Sequence, residues 1–167
     1  MTALELELKS RLQYNLDTEH NELDLDDLEL TEIPDLSKHP WITVLYIGHG
    51  QITDLTPLSS LVNLRELSLS ENQISDLTPL THLTNLTYLR LDKNRITDLA
   101  SIANLVNLTY LHLDFNKITD ISSLARMTNL TELGLSHNPI TIGISVLIGL
   151  TNLTHLYYLN DPVIDFM

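Results

Sequence analysis

Leu86-Thr-Tyr-Leu89-Arg-Leu91-Asp-Lys-Asn94-Arg-Ile96-Thr-Asp-Leu99-Ala-Ser-Ile102-Ala-Asn-Leu105-Val-Asn107 nearly overlays itself when moved by 22 residues in either direction. Upstream the same places hold Leu64, Leu67, Leu69, Asn72, Ile74, Leu77, Leu80 and Leu83. Downstream they hold Leu108, Leu111, Leu113, Asn116, Ile118, Ile121, Leu124 and Met127. Units of this length bury their apolar side by stacking on their neighbours, not around a central core. In Leu-x-x-Leu-x-Leu the last two leucines lie two apart, so both point to one side of a strand and the residue between them to the other. Each unit therefore supplies one short strand to a parallel stack spaced at roughly 4.8 Å. The remaining span is too short for a long helix and suits a 3₁₀ turn.

Polar residues at fixed offsets have a different task. Asn72, Asn94, Asn116 and Asn138 follow the strand leucines, where an amide can bond backbone groups that the turn leaves unpaired inside the coil. Gly50 takes that place one unit earlier and breaks the ladder. Asn63, Asn85, Asn107, Asn129 and Asn152 form a second ladder before the first leucine of each unit. Asp54, Asp76, Asp98 and Asp120 precede the turn, and Pro57 and Pro79 suit its first residues, so these aspartates read as caps.

The units are unequal. Residues 1–19 precede the pattern and are expected to cap the first coil. Leu4, Leu8, Leu12 and Leu16 recur every four residues, with Thr2 and Glu5 as a capping box, which favours a helix; Leu4-Glu-Leu6-Glu-Leu8 also alternates as a strand does. Residues 20–167 hold about six and a half units. The first, residues 20–41, is the weakest, with Leu28 in place of the Asn. Half of the chain's 22 acidic residues lie before residue 36. The fifth unit of the clear pattern gains one residue within the charge-free run from Ile140 to Leu150. There Val146 and Ile148 fit either a packing gap or an external contact. The last unit keeps Leu153, Leu156 and Tyr158 in phase, with Asp161 at the Asn place and Val163 at the Ile place, and ends at Phe166-Met167 without a polar cap. That end suggests a fragment of a larger protein, or a surface covered by a partner or a second copy.

These repeats resemble the 22-residue leucine-rich repeats of bacterial internalins and of the related phosphatase-regulator class. The resemblance rests on the near-complete Leu-Thr-Asn-Leu-Thr-Tyr-Leu-x-Leu-Asp-x-Asn-x-Ile-Thr-Asp-Leu at residues 83–99, extends well over residues 42–140 and loosely over 20–167. It implies an α/β chain wound as a right-handed, curved horseshoe, whose concave parallel sheet grips another protein and whose convex side carries short 3₁₀ turns. The chain departs from secreted internalins in lacking a recognisable signal peptide, wall-anchoring motif or immunoglobulin-like domain.

Composition narrows the function classes. With 9 Lys+Arg against 22 Asp+Glu and a formal charge of −13, the balance argues against nucleic acid and favours a basic partner or simple solubility. There is no cysteine, so no disulfide or thiolate metal site is possible. Glu5, Glu7, Lys9 and Arg11 interrupt any apolar leader, and no run approaches the ~18 residues of a membrane span. Cytoplasmic residence is the default expectation; a secreted or surface location stays open.

Outward strand positions would form the working face. Four of the six tyrosines fall there or beside it: Tyr46, Tyr88, Tyr110 and Tyr157. Tyr88 and Tyr110 are expected side by side, with Arg90 and His112 next to them, Asp92 and Asp114 placed for a partner's cations, and Phe115 one step beyond. Exposed aromatics and Arg bury much area with few rotamers to freeze, so these nine residues are the expected protein-binding set. His112, Asp114 and Asp92 could in geometry hold a metal, but an open wet sheet without a Gly-rich loop or nucleophile elbow argues for no catalysis, no metal and no cofactor. The expected function is a non-catalytic protein-interaction module. The alternatives are a structural spacer, a scaffold that homodimerises through its C-terminal end, and a piece of a larger surface or effector protein.

Overall fold

The structure, a computed structural model, describes residues 2–158. The readings of Asp161 at the Asn place, of Val163 at the Ile place, and of the chain end as a dimer contact lie outside those residues. One helix, α1 (Ala3–Thr18), leads into seven three-residue strands: β1 (Glu22–Asp24), β2 (Val44–Tyr46), β3 (Glu66–Ser68), β4 (Tyr88–Arg90), β5 (Tyr110–His112), β6 (Glu132–Gly134) and β7 (His155–Tyr157). They form one parallel sheet in chain order, and each residue of a strand pairs with its counterpart in the next repeat, Glu22 with Val44 through to Gly134 with Tyr157. The returning limb of each coil carries a 3₁₀ turn, at Thr56–Leu58, Thr78–Leu80, Ala100–Ile102, Ser122–Arg126 and Ile144–Gly149. The result is a curved solenoid with its sheet on the concave side.

Register follows from burial. Leu45, Leu67, Leu89, Leu111 and Leu133 are wholly buried at the centres of their strands, as are Ile52, Ile74, Ile96 and Ile118 behind them. Each such side chain is worth about 1.5–3 kcal/mol removed from water, and a one-residue slip would turn it to the solvent face.

The Asn ladder closes the coil from inside. Asn94 Nδ2 donates to the carbonyls of Leu69 at 2.9 Å, one coil back, and of Leu91 at 3.1 Å, while its Oδ1 accepts from the Ile74 amide at 2.9 Å. Asn72, Asn116 and Asn138 repeat the arrangement. At Gly50 a Cβ would lie 2.6 Å from the Leu30 carbonyl and 2.9 Å from Asn72 Oδ1, so the backbone itself fills the place. The second ladder runs on the surface, where Asn85 bonds the Val62 carbonyl at 2.9 Å and Asn107 that of Thr84 at 2.9 Å. A third, of threonines, was not anticipated: Thr87, Thr109, Thr131 and Thr154 each donate a hydroxyl to the carbonyl of the corresponding residue one coil back.

Of the two readings of residues 3–16, the helix is the one observed, with both bonds of the Thr2–Glu5 capping box in place. The leucine stripe docks unevenly: Leu8 and Leu12 pack on the core, whereas Leu4 is 42% exposed. Polar groups complete the attachment. Buried Asn15 donates to the carbonyls of His20 and Glu22 and accepts from the Trp41 indole N–H at 3.1 Å. Arg11 reaches the Asp24 and Asp26 carbonyls, and the His39 Nε2–H donates to that of Leu12.

In the lengthened repeat, Gly143 adopts φ +85°, and a Cβ there would lie 2.5 Å from the Ser122 amide nitrogen. Just before that glycine, Ile142 makes a parallel bridge to Asp120. Val146 and Leu147 pack against the core, but Ile148 is 84% exposed, so the two apolar residues singled out there, Val146 and Ile148, have opposite environments.

Two stability tests follow. Asn94→Ala strands at least three buried backbone groups and should cost about 3 kcal/mol in urea unfolding, against about 1 kcal/mol or less for Asn107→Ala on the surface. The carboxyls of Asp54, Asp76 and Asp120 are held below 3.8 by the side chain and backbone amide of Thr56, Thr78 and Ser122. A lowered folded value gives a contribution complete above 3.8 and lost as pH falls through the folded value. The urea midpoint should therefore hold from neutral pH to about 5 and drop below about 4, less steeply in Asp54→Asn/Asp76→Asn/Asp120→Asn.

Candidate functional site

The site is built by the outward positions of β4 to β7. A parallel sheet in exact repeat register places equivalent side chains one strand apart, so Tyr88 faces Tyr110 and Arg90 faces His112 across β4 and β5. The tyrosine rings stack with centroids 4.2 Å apart and planes 12° from parallel. Tyr110 also stacks on His112 of its own strand, at 4.4 Å and 9°. His112 then meets the edge of Tyr157, two strands away, at 5.5 Å. Four rings thus form one continuous, half-exposed surface.

Gly134 makes that crossing possible. It lies between His112 and Tyr157 in the sheet register. A Cβ at this glycine would sit 2.1 Å from Asp114 Oδ2 and 3.0 Å from His112 Cγ. Without a side chain at Gly134, His112 leans across β6 and its Nε2 comes within 3.1 Å of Glu132 Oε1, while Nδ1 lies 3.4 Å from Asp114 Oδ2.

The charged members are engaged within the sheet. Arg90 forks onto Asp92, with Nε 3.1 Å from Oδ1 and Nη2 3.3 Å from Oδ2. Burial works against the Arg90 charge, but the bond and charge of Asp92 outweigh it and raise the guanidinium's pKa. Asp114 accepts the Ser136 amide at 2.8 Å. Asp92 is thus forked by Arg90 and 8% exposed, and Asp114 spends one oxygen on the next coil. Of Asp92, Asp114 and His112, the last two lie 3.4 Å apart and Asp92 is forked by Arg90. Among the described residues no group of three or more His, Asp or Glu is placed to hold a metal ion.

Two of the nine sequence-selected residues lie apart from the rings. Tyr46, on β2, is separated from β4 by Ser68, which meets Ser70 hydroxyl to hydroxyl at 3.3 Å. Its own hydroxyl donates to Glu66 at 3.3 Å, and burial together with the Glu66 charge pushes its pKa up to about 12. Burial and the bond that the Tyr110 hydroxyl donates to Tyr88 likewise raise Tyr110, so both phenols are neutral at physiological pH. Phe115 follows its strand in the left-handed conformation, φ +55°, and stacks on His137 at 4.0 Å. It belongs to the turn beyond the sheet. Glu66, Glu132 and Gly134 occupy outward strand positions legible in the sequence but were left out of the expected binding set, although their register puts them beside the selected tyrosines and histidine.

Gly134→Ala should lower stability by about 2 kcal/mol through overpacking and separate two rings. Urea unfolding gives the first quantity. Loss of the nuclear Overhauser contacts between His112 and Tyr157 gives the second, and their persistence would refute the role assigned to Gly134.

Comparison with known proteins adds relatives to this geometry. The family model for paired leucine-rich repeats matches residues 62–100 and 84–126, and that for a single leucine-rich repeat matches 129–150. No curated protein sequence matches. Among solved structures, internalin C2 of Listeria monocytogenes is 30% identical with a TM-score of 0.69, over 89% of this chain and 77% of its own. The functional domain of InlJ from the same organism, described as including a cysteine ladder, is 32% identical with a TM-score of 0.72; the match covers 81% of this chain but 29% of InlJ's. The present chain has no cysteine, and asparagine and threonine ladders run through its coils. With this register, these repeats and these neighbours, the chain belongs to the leucine-rich repeat family as an internalin-like protein.

Proposed function

We infer that the chain is a non-catalytic binding module that grips a protein partner through its concave sheet. One observation carries the reading: Tyr88, Tyr110, His112 and Tyr157 form a continuous ring surface whose rotamers are already held by stacking and by Glu132 and Asp114. Pre-ordered rings lose little entropy on binding and give up much water-exposed area, which is how aromatic hot spots earn affinity. Strand propensity alone asks for no such surface, because Glu66 and Ser68 on β3 and Glu132 and Gly134 on β6 serve equally well at the same positions.

Charge indicates the partner's sign. Glu66 and Glu132 border the rings, Arg90 is cancelled by Asp92, and the chain carries −13. A loop or segment that lays an apolar side chain on Tyr88 and Tyr110 and directs a cation to Glu132 matches this layout, and a modest ionic-strength dependence accompanies it. Catalysis has little support. The cleft of about 490 Å³ between α1 and β1 is bordered by Arg11, Asn15 and His20, and the first two spend their donors on attaching the helix.

The test is paired affinity capture from source and host lysates with wild type and Tyr88→Ala/Tyr110→Ala as baits, after circular dichroism confirms both are folded. Calorimetry with the purified captured protein follows. Binding should weaken by at least 2 kcal/mol, roughly thirtyfold. Equal affinity for both baits would remove the site from the tyrosine face.

A further inference from the structure

A second surface lies past the end of the strands, on the turns that follow β4, β5 and β6. Each turn puts one residue in the left-handed conformation, Lys93, Phe115 and His137, with φ between +55° and +56°. The buried ladder Asn comes next, and then an outward residue: Arg95, Lys117 and Pro139. The coils are spaced at roughly 4.8 Å, so these six residues form one patch about 10 Å long.

The patch differs from the rest of the molecule in two respects. Its charge is positive and partly uncompensated. Lys93 pairs with Glu71 at 2.6 Å, but among the described residues Arg95 and Lys117 make no side-chain hydrogen bond or ion pair. Of the acidic groups three residues away on either side, Asp92 pairs with Arg90, and Asp114, Asp98 and Asp120 accept the backbone amides of Ser136, Ala100 and Ser122. The patch also contains an aromatic ring that the fold does not require. A left-handed position favours Asn, Asp or Gly and penalises bulky side chains, yet Phe115 occupies it, 48% exposed and stacked on His137 at 4.0 Å.

We propose that Arg95, Lys117 and Phe115 form a second docking site, for an acidic segment of a partner protein whose carboxylates flank an apolar side chain. The apolar side chain lies on the Phe115 ring and the carboxylates pair with Arg95 and Lys117, whose free cations gain a partner at little desolvation cost. A polypeptide fits better than a nucleic acid for a physical reason. The patch is about as long as the Debye length of ~8 Å, whereas a polyanion needs many phosphate contacts and would run onto a surface of opposite preference. This site is separate from the concave rings and does not depend on their function.

The test uses fluorescence anisotropy at low ionic strength with a fluorescein-labelled peptide of glutamates around one phenylalanine, and a glutamine counterpart as control. Arg95→Gln/Lys117→Gln removes charges that make no internal contact, so its circular dichroism should match wild type. The glutamate peptide should bind wild type, lose about tenfold in affinity for that variant, and release as salt is raised. Tyr88→Ala/Tyr110→Ala should bind the peptide as wild type does. Equal binding by wild type and Arg95→Gln/Lys117→Gln would overturn the proposal. So would a single-stranded oligonucleotide binding as tightly as the peptide, or wild-type self-association in sedimentation that vanishes in the Arg95→Gln/Lys117→Gln variant, which would assign the patch to a second copy.

Discussion

The structure depends on closing each coil without leaving backbone polar groups dry. A turn of the solenoid wraps leucines and isoleucines around a space with no water, and its backbone must change direction inside that space. Every N–H and C=O left unpaired there would cost about 1–3 kcal/mol. In four successive coils, at Asn72, Asn94, Asn116 and Asn138, one asparagine meets this need by donating to carbonyls in two coils and accepting an amide from the earlier one. Because each amide serves two coils, the repeats are coupled as neighbours, and stability spreads along the stack instead of residing in a centre.

That coupling leaves the concave face largely free of structural duties. Its central leucines bury themselves inward, and the outward positions can hold serine, glycine, arginine or tyrosine without altering the register. The ring surface is therefore a local choice on a fixed lattice. Its order comes from neighbours: two tyrosines stack because adjacent strands are in register, and a histidine crosses a third strand because that strand carries a glycine. The paired Arg90 and Asp92 add charge to the face without adding net charge, which leaves Glu66 and Glu132 to set its sign.

The two ends of the described chain depart from the repeat in different ways. At the N-terminal end α1 lies on the first coil, held by a buried Asn15, an Arg11 that bonds strand-end carbonyls, and Leu8 and Leu12 on the core. Towards the other end one inserted residue produces a left-handed glycine and a longer 3₁₀ turn that leaves Ile148 in solvent. Both departures occur where the period weakens in the sequence, since the constraint from the neighbouring coil is weakest there.

The period by itself determined the architecture: the strand positions, their parallel order, the buried leucines, the two asparagine ladders and the adjacency of Tyr88 and Tyr110. Repeats carry that information because one register, once fixed, places every equivalent residue. The capping box at Thr2 was equally legible, being local in sequence. Tertiary structure alone decided the interactions that cross the repeat. Asp92 and Asp114 read as available carboxylates because nothing in a strand pattern shows that one is forked by Arg90 and the other taken by the Ser136 amide. Phe115 read as part of the tyrosine face because nothing in the repeat pattern shows that the backbone turns left-handed at that residue. The joining of His112 to Tyr157 depends on the missing Cβ of Gly134, a through-space condition between strands that periodicity does not encode.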